Sequence, residues 1–339
     1  MYDMQTTVSF PGLGIDEFTV SRVAFSIFGK DIFWYGVIIS IGVVVAFLHA
    51  YWRSKEEKVK FDHLLDLAIF IILFGVLGAR LYYVATTWSG GQYKNIIDVF
   101  AVWEGGLAIY GGIIAGGLAI VGVCLVKKIN VFRVLDMVGP GVMIAQAIGR
   151  WANFINGEAY GYEVAAGSPL YFLRMGIISD FAGSEMKYYH PTFLYESLWN
   201  VVGFVLITVF YRKKKFHGQN ALAYLAWYGF GRMFIEGLRT DSLYLGNTDI
   251  RISQLVGFLC FVIAGGLLVA GLILAPKRKL CGVMGGKLVE DLVNCPNQDT
   301  ETYEAFKAQE NDPENQETSV ETAEETTKDP NESEESSNG

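Results

Sequence analysis

The chain has 339 residues, 52% of them hydrophobic and only 18% charged, against about 25% charged in an ordinary soluble domain. Its net charge of −8 is a property of the last fifty residues, where 16 acids face two lysines, Lys307 and Lys328; residues 1–289 hold 25 bases and 19 acids, a net +6. The acidic balance therefore gives no sign of a nucleic-acid partner, and the apolar excess argues against a soluble protein.

Residues 1–31 are a mixed segment without a basic stretch ahead of an apolar core, so no cleaved signal peptide is expected. A membrane-crossing helix needs roughly 20 apolar residues. Seven segments qualify: Ile32–Tyr51, Leu64–Val84, Leu107–Val126, Val134–Phe154, Phe193–Tyr211, Ala221–Ile235 and Ile252–Ala275. The fourth contains Pro140, which a membrane helix tolerates as a kink. The sixth is short. Basic residues cluster after the first span (Arg53, Lys55, Lys58, Lys60), the third (Lys127, Lys128, Arg133), the fifth (Arg212 to Lys215) and the seventh (Lys277, Arg278, Lys279). Alternate loops are thus basic, which predicts that they are cytoplasmic, with the N-terminus outside and the C-terminus inside. The longest outer connection runs from Asn156 to Pro191. The expected fold is all-α: a seven-helix transmembrane catalytic domain over residues 1–280, then an acidic cytoplasmic tail over 281–339, too poor in apolar residues to fold. Cys124 and Cys260 lie in apolar runs and Cys281 and Cys295 beyond them; no pair has metal-ligand spacing, and neither a metal nor a cofactor is expected.

Ionisable residues inside spans cost about 2.5–3.5 kcal/mol each on insertion scales and usually mark function. Three groups stand near the outer ends of their spans. In the first, Gln146, Arg150, Asn153 and Gly157 repeat at helical spacing and lead into Glu158, Tyr160 and Gly161. Snorkelling to headgroups would account for Arg150, but not for Gln146, Asn153 and Asn156 together. In the second, Tyr228, Arg232 and Glu236 lie four apart, with Arg239 on the next turn. An internal Arg–Glu ion pair is one reading. The other sets Arg232 beside Arg150 as a pair of guanidiniums for phosphate oxygens. The third is aromatic and glycine-rich: Trp34-Tyr35-Gly36, and Trp103-Glu104-Gly105-Gly106 through Tyr110-Gly111-Gly112, with Arg80 nearby. Aromatic residues at this depth also form ordinary interfacial belts, and paired glycines admit a ligand or another helix. His190, ahead of Pro191, is the one histidine on the outer side and suits either a site or a helix start. Together these residues describe a cavity at outer-leaflet depth, rich in Arg, Tyr and Asn, suited to an anionic phospholipid headgroup.

The run Gly149-Arg150-Trp151-Ala152-Asn153-Phe154-Ile155-Asn156-Gly157-Glu158, followed by Gly161, resembles the signature of the bacterial prolipoprotein diacylglyceryl transferases. So do Asp136, Trp34-Tyr35-Gly36, His190-Pro191 through Tyr195-Glu196, the Tyr228–Arg232–Glu236 stripe and Ile252-Ser253-Gln254; the likeness covers roughly residues 30–275. It implies a multi-pass protein of the bacterial cytoplasmic membrane that moves the diacylglyceryl group of phosphatidylglycerol to the lipobox cysteine of a preprolipoprotein signal peptide. A thioether forms and glycerol phosphate leaves. Tyr110 stands where many members carry His. The expected catalytic residues are Arg150, Arg232, Asn153, Tyr110 and Tyr35. Arg150, Glu158, Gly161, Tyr228, Glu236, Arg239 and His190 are expected to bind substrate. The proton acceptor stays open among Tyr110, Tyr35 and His190. A transporter of an anionic solute is the rival reading, and Asp66 and Asp136, near inner ends, are the residues that would line its path.

Overall fold

A computed structural model describes residues 5–88, 93, 95–102, 105–246 and 248–274. Trp103, Glu104, the basic residues Lys277 to Lys279, Cys281, Cys295, the acidic tail and the expected boundary at 280/281 lie outside the described residues.

Among the described residues, eight α-helices form the body: α1 (Trp34–Ser54), α2 (Phe61–Thr87), the short α3 (Ile96–Phe100), α4 (Ile109–Lys127), α5 (Val131–Asn156), α6 (Thr192–Phe210), α7 (Gln219–Ile235) and α8 (Ile252–Leu274). Of these, α1, α2, α4, α5, α6 and α8 are long and apolar enough to cross a membrane, and the chain is a multi-pass membrane protein. The sixth expected span corresponds to α7, whose 17 residues are shorter than the others. It packs along α8 and against α5 and α6.

The expectation of an all-α chain needs correction. Six strands among the described residues cap one end of the bundle: β1 (Gln5–Phe10), β2 (Ile15–Ser21), β3 (Val23–Ile27), β4 (Lys30–Phe33), β5 (Met175–Ser179) and β6 (Gly183–Tyr189). Four of them make an antiparallel sheet in the order β2-β1-β5-β6, and β3 and β4 form a hairpin that leads straight into α1. The physical reason is side-chain alternation. Thr6, Val8 and Phe10 point to one face of β1 and are buried with Met175, Ile177 and Phe193. Ile32 and Phe33, read as the start of the first span, belong to β4 instead.

Small residues bring helices together where no hydrophobic force separates protein from lipid. A Cβ on Gly78 of α2 would collide with Ala115 and with the Gly111 carbonyl of α4. The Gly111-Gly112 pair thus serves helix packing. Between α6 and α7, Trp199 and Trp227 stack with ring centroids 4.3 Å apart, and each indole N–H donates to the other's backbone carbonyl at 2.9 Å.

The end opposite the sheet carries a buried polar network. Asp136 of α5 accepts from the backbone N–H of Gly218 (2.9 Å), Asn220 (2.8 Å) and Ala221 (3.0 Å) and from Lys214 Nζ (2.9 Å). It caps the start of α7 from another helix. Glu57 takes Lys214 Nζ at 2.6 Å and the Tyr211 hydroxyl at 2.7 Å. Asp66 pairs with Lys127 at 2.7 Å.

Candidate functional site

The site lies at the sheet end, where the last turns of α5, the first turns of α6 and the end of α7 meet. In α5, Gln146, Arg150 and Asn153 share one face and line a single cavity of about 560 Å³ together with Tyr35 of α1. The rest of that cavity is apolar, walled by α1, α2 and α5. Gly157 ends α5 in a left-handed conformation, its N–H returning to the Asn153 and Phe154 carbonyls. The turn brings Glu158 back under α5, where one of its oxygens accepts from Asn153 Nδ2 at 3.0 Å and Asn156 Nδ2 at 3.2 Å. Glu158 thus orients the two asparagines.

Arg150 and Arg232 come together, and the group that joins them is Glu196. One Glu196 oxygen lies 2.8 Å from Arg150 Nη2 and the other 2.8 Å from Arg232 Nη1. Arg232 Nη2 lies 2.5 Å from Glu236, and Arg239 touches the same Glu236 oxygen at 4.0 Å before pairing with Asp241 at 2.7 Å. Arg150 Nη1 also reaches Asn153 Oδ1 at 3.4 Å. The helix end favours one of these charges: Arg232 sits in the last turn of α7, whose C-terminus attracts cations. The two glutamate side chains are 2% exposed, while Arg150 and Arg232 are 18% and 13% exposed. The carboxylates therefore form the backing, and the guanidiniums are the accessible edge. A guanidinium has five N–H donors, more than either arginine spends on the carboxylate and amide partners here.

The remaining expected residues sort differently. Tyr110 donates to or accepts from Ser253 Oγ of α8 at 3.1 Å. His190 Nδ1 meets the Tyr195 hydroxyl at 3.2 Å, and burial lowers its pKa from the usual imidazole value, leaving it neutral at pH 7. Gly161 is a packing position: any Cβ there would press on His190 and on the Leu238 carbonyl. Its N–H donates to the His190 carbonyl at 2.9 Å, and it bridges to Arg239, tying the α5–α6 connection to the end of α7. Tyr228 is half-buried beside Glu196 and both arginines. Arg80 is spent on structure, donating to the carbonyls of Asp98 (2.6 Å), Val99 (3.0 Å) and Gly105 (2.6 Å). Sequence reasoning gave Glu196 no site role, although it stands in the His190 to Glu196 run and is an acid within a span.

A charged cluster beside an apolar cavity inside a membrane bundle is a site suited to an amphipathic anion. The profile of the prolipoprotein diacylglyceryl transferases matches residues 22–270. Over 252 residues the chain is 42% identical to the phosphatidylglycerol–prolipoprotein diacylglyceryl transferase of Listeria monocytogenes serotype 4b, covering 73% of this chain and 88% of that one. Over 261 residues it is 40% identical to the enzyme of the same name from Staphylococcus aureus strain Newman, covering 76% of this chain and 91% of that one. The chain belongs to the prolipoprotein diacylglyceryl transferase family, and it is a transferase of lipoprotein maturation.

Proposed function

We propose that the chain transfers the diacylglyceryl group of phosphatidylglycerol to the lipobox cysteine of a prolipoprotein signal peptide at the Arg150–Glu196–Arg232 cluster. The thiolate sulfur attacks the glycerol carbon bonded to phosphate. The C–O bond to phosphate breaks, a C–S thioether forms, and glycerol phosphate leaves with the electron pair. Charge builds on the phosphate, and preorganised donors aimed at developing charge in a low-dielectric site are a large catalytic factor. Arg150 and Arg232 supply them, with Asn153 and Tyr228 completing the polar wall. Glu196 fixes the spacing of the two guanidiniums, and Glu158 orients Asn153.

A free thiol has a pKa of about 8.5 and reacts as the thiolate, so the arginines also favour the nucleophile. The proton needs an acceptor. Among Tyr35, Tyr110 and His190 the neutral imidazole of His190 is the group able to accept it at pH 7, and the Tyr35 hydroxyl, which lines the same cavity as Arg150 and Asn153, relays it. Gly161, Glu236, Arg239 and His190 hold the wall of the site.

The reading sets the chain in the bacterial cytoplasmic membrane with seven spans, counting α7. The basic loops face the cytoplasm, and the N-terminus, the sheet and the site face outward. One observation carries the proposal: two guanidiniums joined by a single buried carboxylate, one of them, Arg150, standing at the polar end of an apolar cavity. The test is a transfer assay in liposomes with acyl-labelled phosphatidylglycerol and a lipobox peptide. Label on the cysteine peptide, none on its serine counterpart, and release of glycerol phosphate support the reading. Absence of label with folded protein rejects it.

A further inference from the structure

The cavity beside Arg150 is deep and one-sided. Its polar residues, Tyr35, Gln146, Arg150 and Asn153, gather at the sheet end. From there the lining continues down α1 through Ile39, Val43, Ala46 and Ala50, and the facing wall on α2 reaches Ala68, Leu67 and Leu64. Tyr35 and Ala50 are fifteen positions apart on one helix, which at about 1.5 Å per residue gives the slot a length of roughly 22 Å. Half of the hydrocarbon core, the share of one leaflet, is about 15 Å. The slot therefore passes the bilayer midplane and takes a long acyl chain laid out straight.

Its deep end is closed. Ala50, Leu64 and Leu67 are 5%, 2% and 1% exposed and belong to a packed core with Ile120, Val134 and Met137. Alanines at positions 46, 50, 68 and 145 keep the slot open; a larger side chain at any of them would shorten it.

We propose that this slot is a ruler for one acyl chain of the lipid substrate. The wall at Ala50, Leu64, Leu67 and Ala68 sets the longest chain that leaves the glycerol phosphate at Arg150. The inference rests on the transferase reading above. A chain that fits seats its glycerol carbon beside the arginines. A chain too long for the slot must bend back or out between the helices, or hold the headgroup out of reach, and a short one leaves the deep walls unfilled and forfeits their packing contacts.

The experiment measures transfer to a lipobox peptide from phosphatidylglycerols of matched chains, from ten to twenty-two carbons, at one lipid mole fraction in mixed micelles. The wild-type protein is expected to show an optimum length and a fall beyond it. Ala68→Phe, one turn above Leu64, which shortens the slot at its deep end, is expected to cut turnover of eighteen-carbon lipid at least about tenfold relative to twelve-carbon lipid. Ile69→Phe, on the neighbouring lipid-facing position that is 60% exposed, is expected to keep the wild-type profile. A flat wild-type profile overturns the ruler, and so does a loss in Ala68→Phe that is equal at every length. If Ala68→Phe does not fold, the smaller Ala50→Val takes its place under the same criterion. Absence of transfer from every lipid rejects the function itself, a different outcome from a flat profile.

Discussion

Glu196 holds Arg150 and Arg232 at 2.8 Å each, so its charge, and not only its shape, keeps two like charges side by side. Glu196→Gln keeps the shape and removes the charge. Transfer is expected to fall on the order of 10²-fold, the scale of losing one preorganised stabilising group, with a much smaller change in thermal stability. A Glu196→Gln protein with wild-type turnover would reduce Glu196 to packing. Arg150 and Asn153 were legible in the sequence because polar residues at helical spacing stand out on an apolar span. The linking role of Glu196 was not, because its partners come from two other helices and only the packed bundle brings them together. Tyr110 was legible only as part of the glycine-rich run; its partner Ser253 comes from α8, at 3.1 Å, and only the packed bundle shows it.

The helices were legible to within a few residues, because lipid imposes a minimum apolar length that a sequence cannot hide. The strands were not. β1 and β2 are six and seven residues long, and their alternation is a weak signal beside six long apolar runs; the pairing of β1 with β5 joins segments far apart in sequence. The cap of α7 is also tertiary. Asp136 reaches it from α5 and satisfies three backbone donors and Lys214 at once. Asp136→Ala strands those groups, and the expected cost is about 3 kcal/mol, read as a lower midpoint of thermal unfolding in detergent. An unchanged midpoint would show that water takes over the cap. Asp136 and Asp66 both serve as structural ties here, and neither lines the cavity, which removes the residues a transport path would have used.

The same end contains His217, which accepts from Arg133 Nε at 3.2 Å. Burial first, then the Arg133 and Lys214 charges, push its pKa down to about 3, against about 6.5 in an unfolded chain. The folded protein therefore resists protonation of this group. Its stabilising contribution is complete above pH 6.5 and is lost as pH falls from 6.5 toward 3. Thermal unfolding followed from pH 7.5 to pH 4.5 is expected to decline less steeply in His217→Gln than in the wild type. Parallel curves would contradict the assignment.

Across the whole molecule, charge is sorted by end. Basic loops and a capped, buried polar network occupy one end, while the sheet and the arginine–glutamate chain occupy the other, with the apolar cavity running between. That layout keeps the arginine–glutamate chain beside the apolar cavity and away from the basic loops. Its central element is Arg150, which belongs to both the cavity wall and the ion-pair chain. The decisive measurement is transfer by Arg150→Ala, with membrane insertion and folding verified in the same preparation. The account predicts a loss of at least about 10²-fold, not restored in Arg150→Lys because a point charge does not replace a planar fork. Near-normal turnover in the inserted, folded Arg150→Ala protein would contradict it.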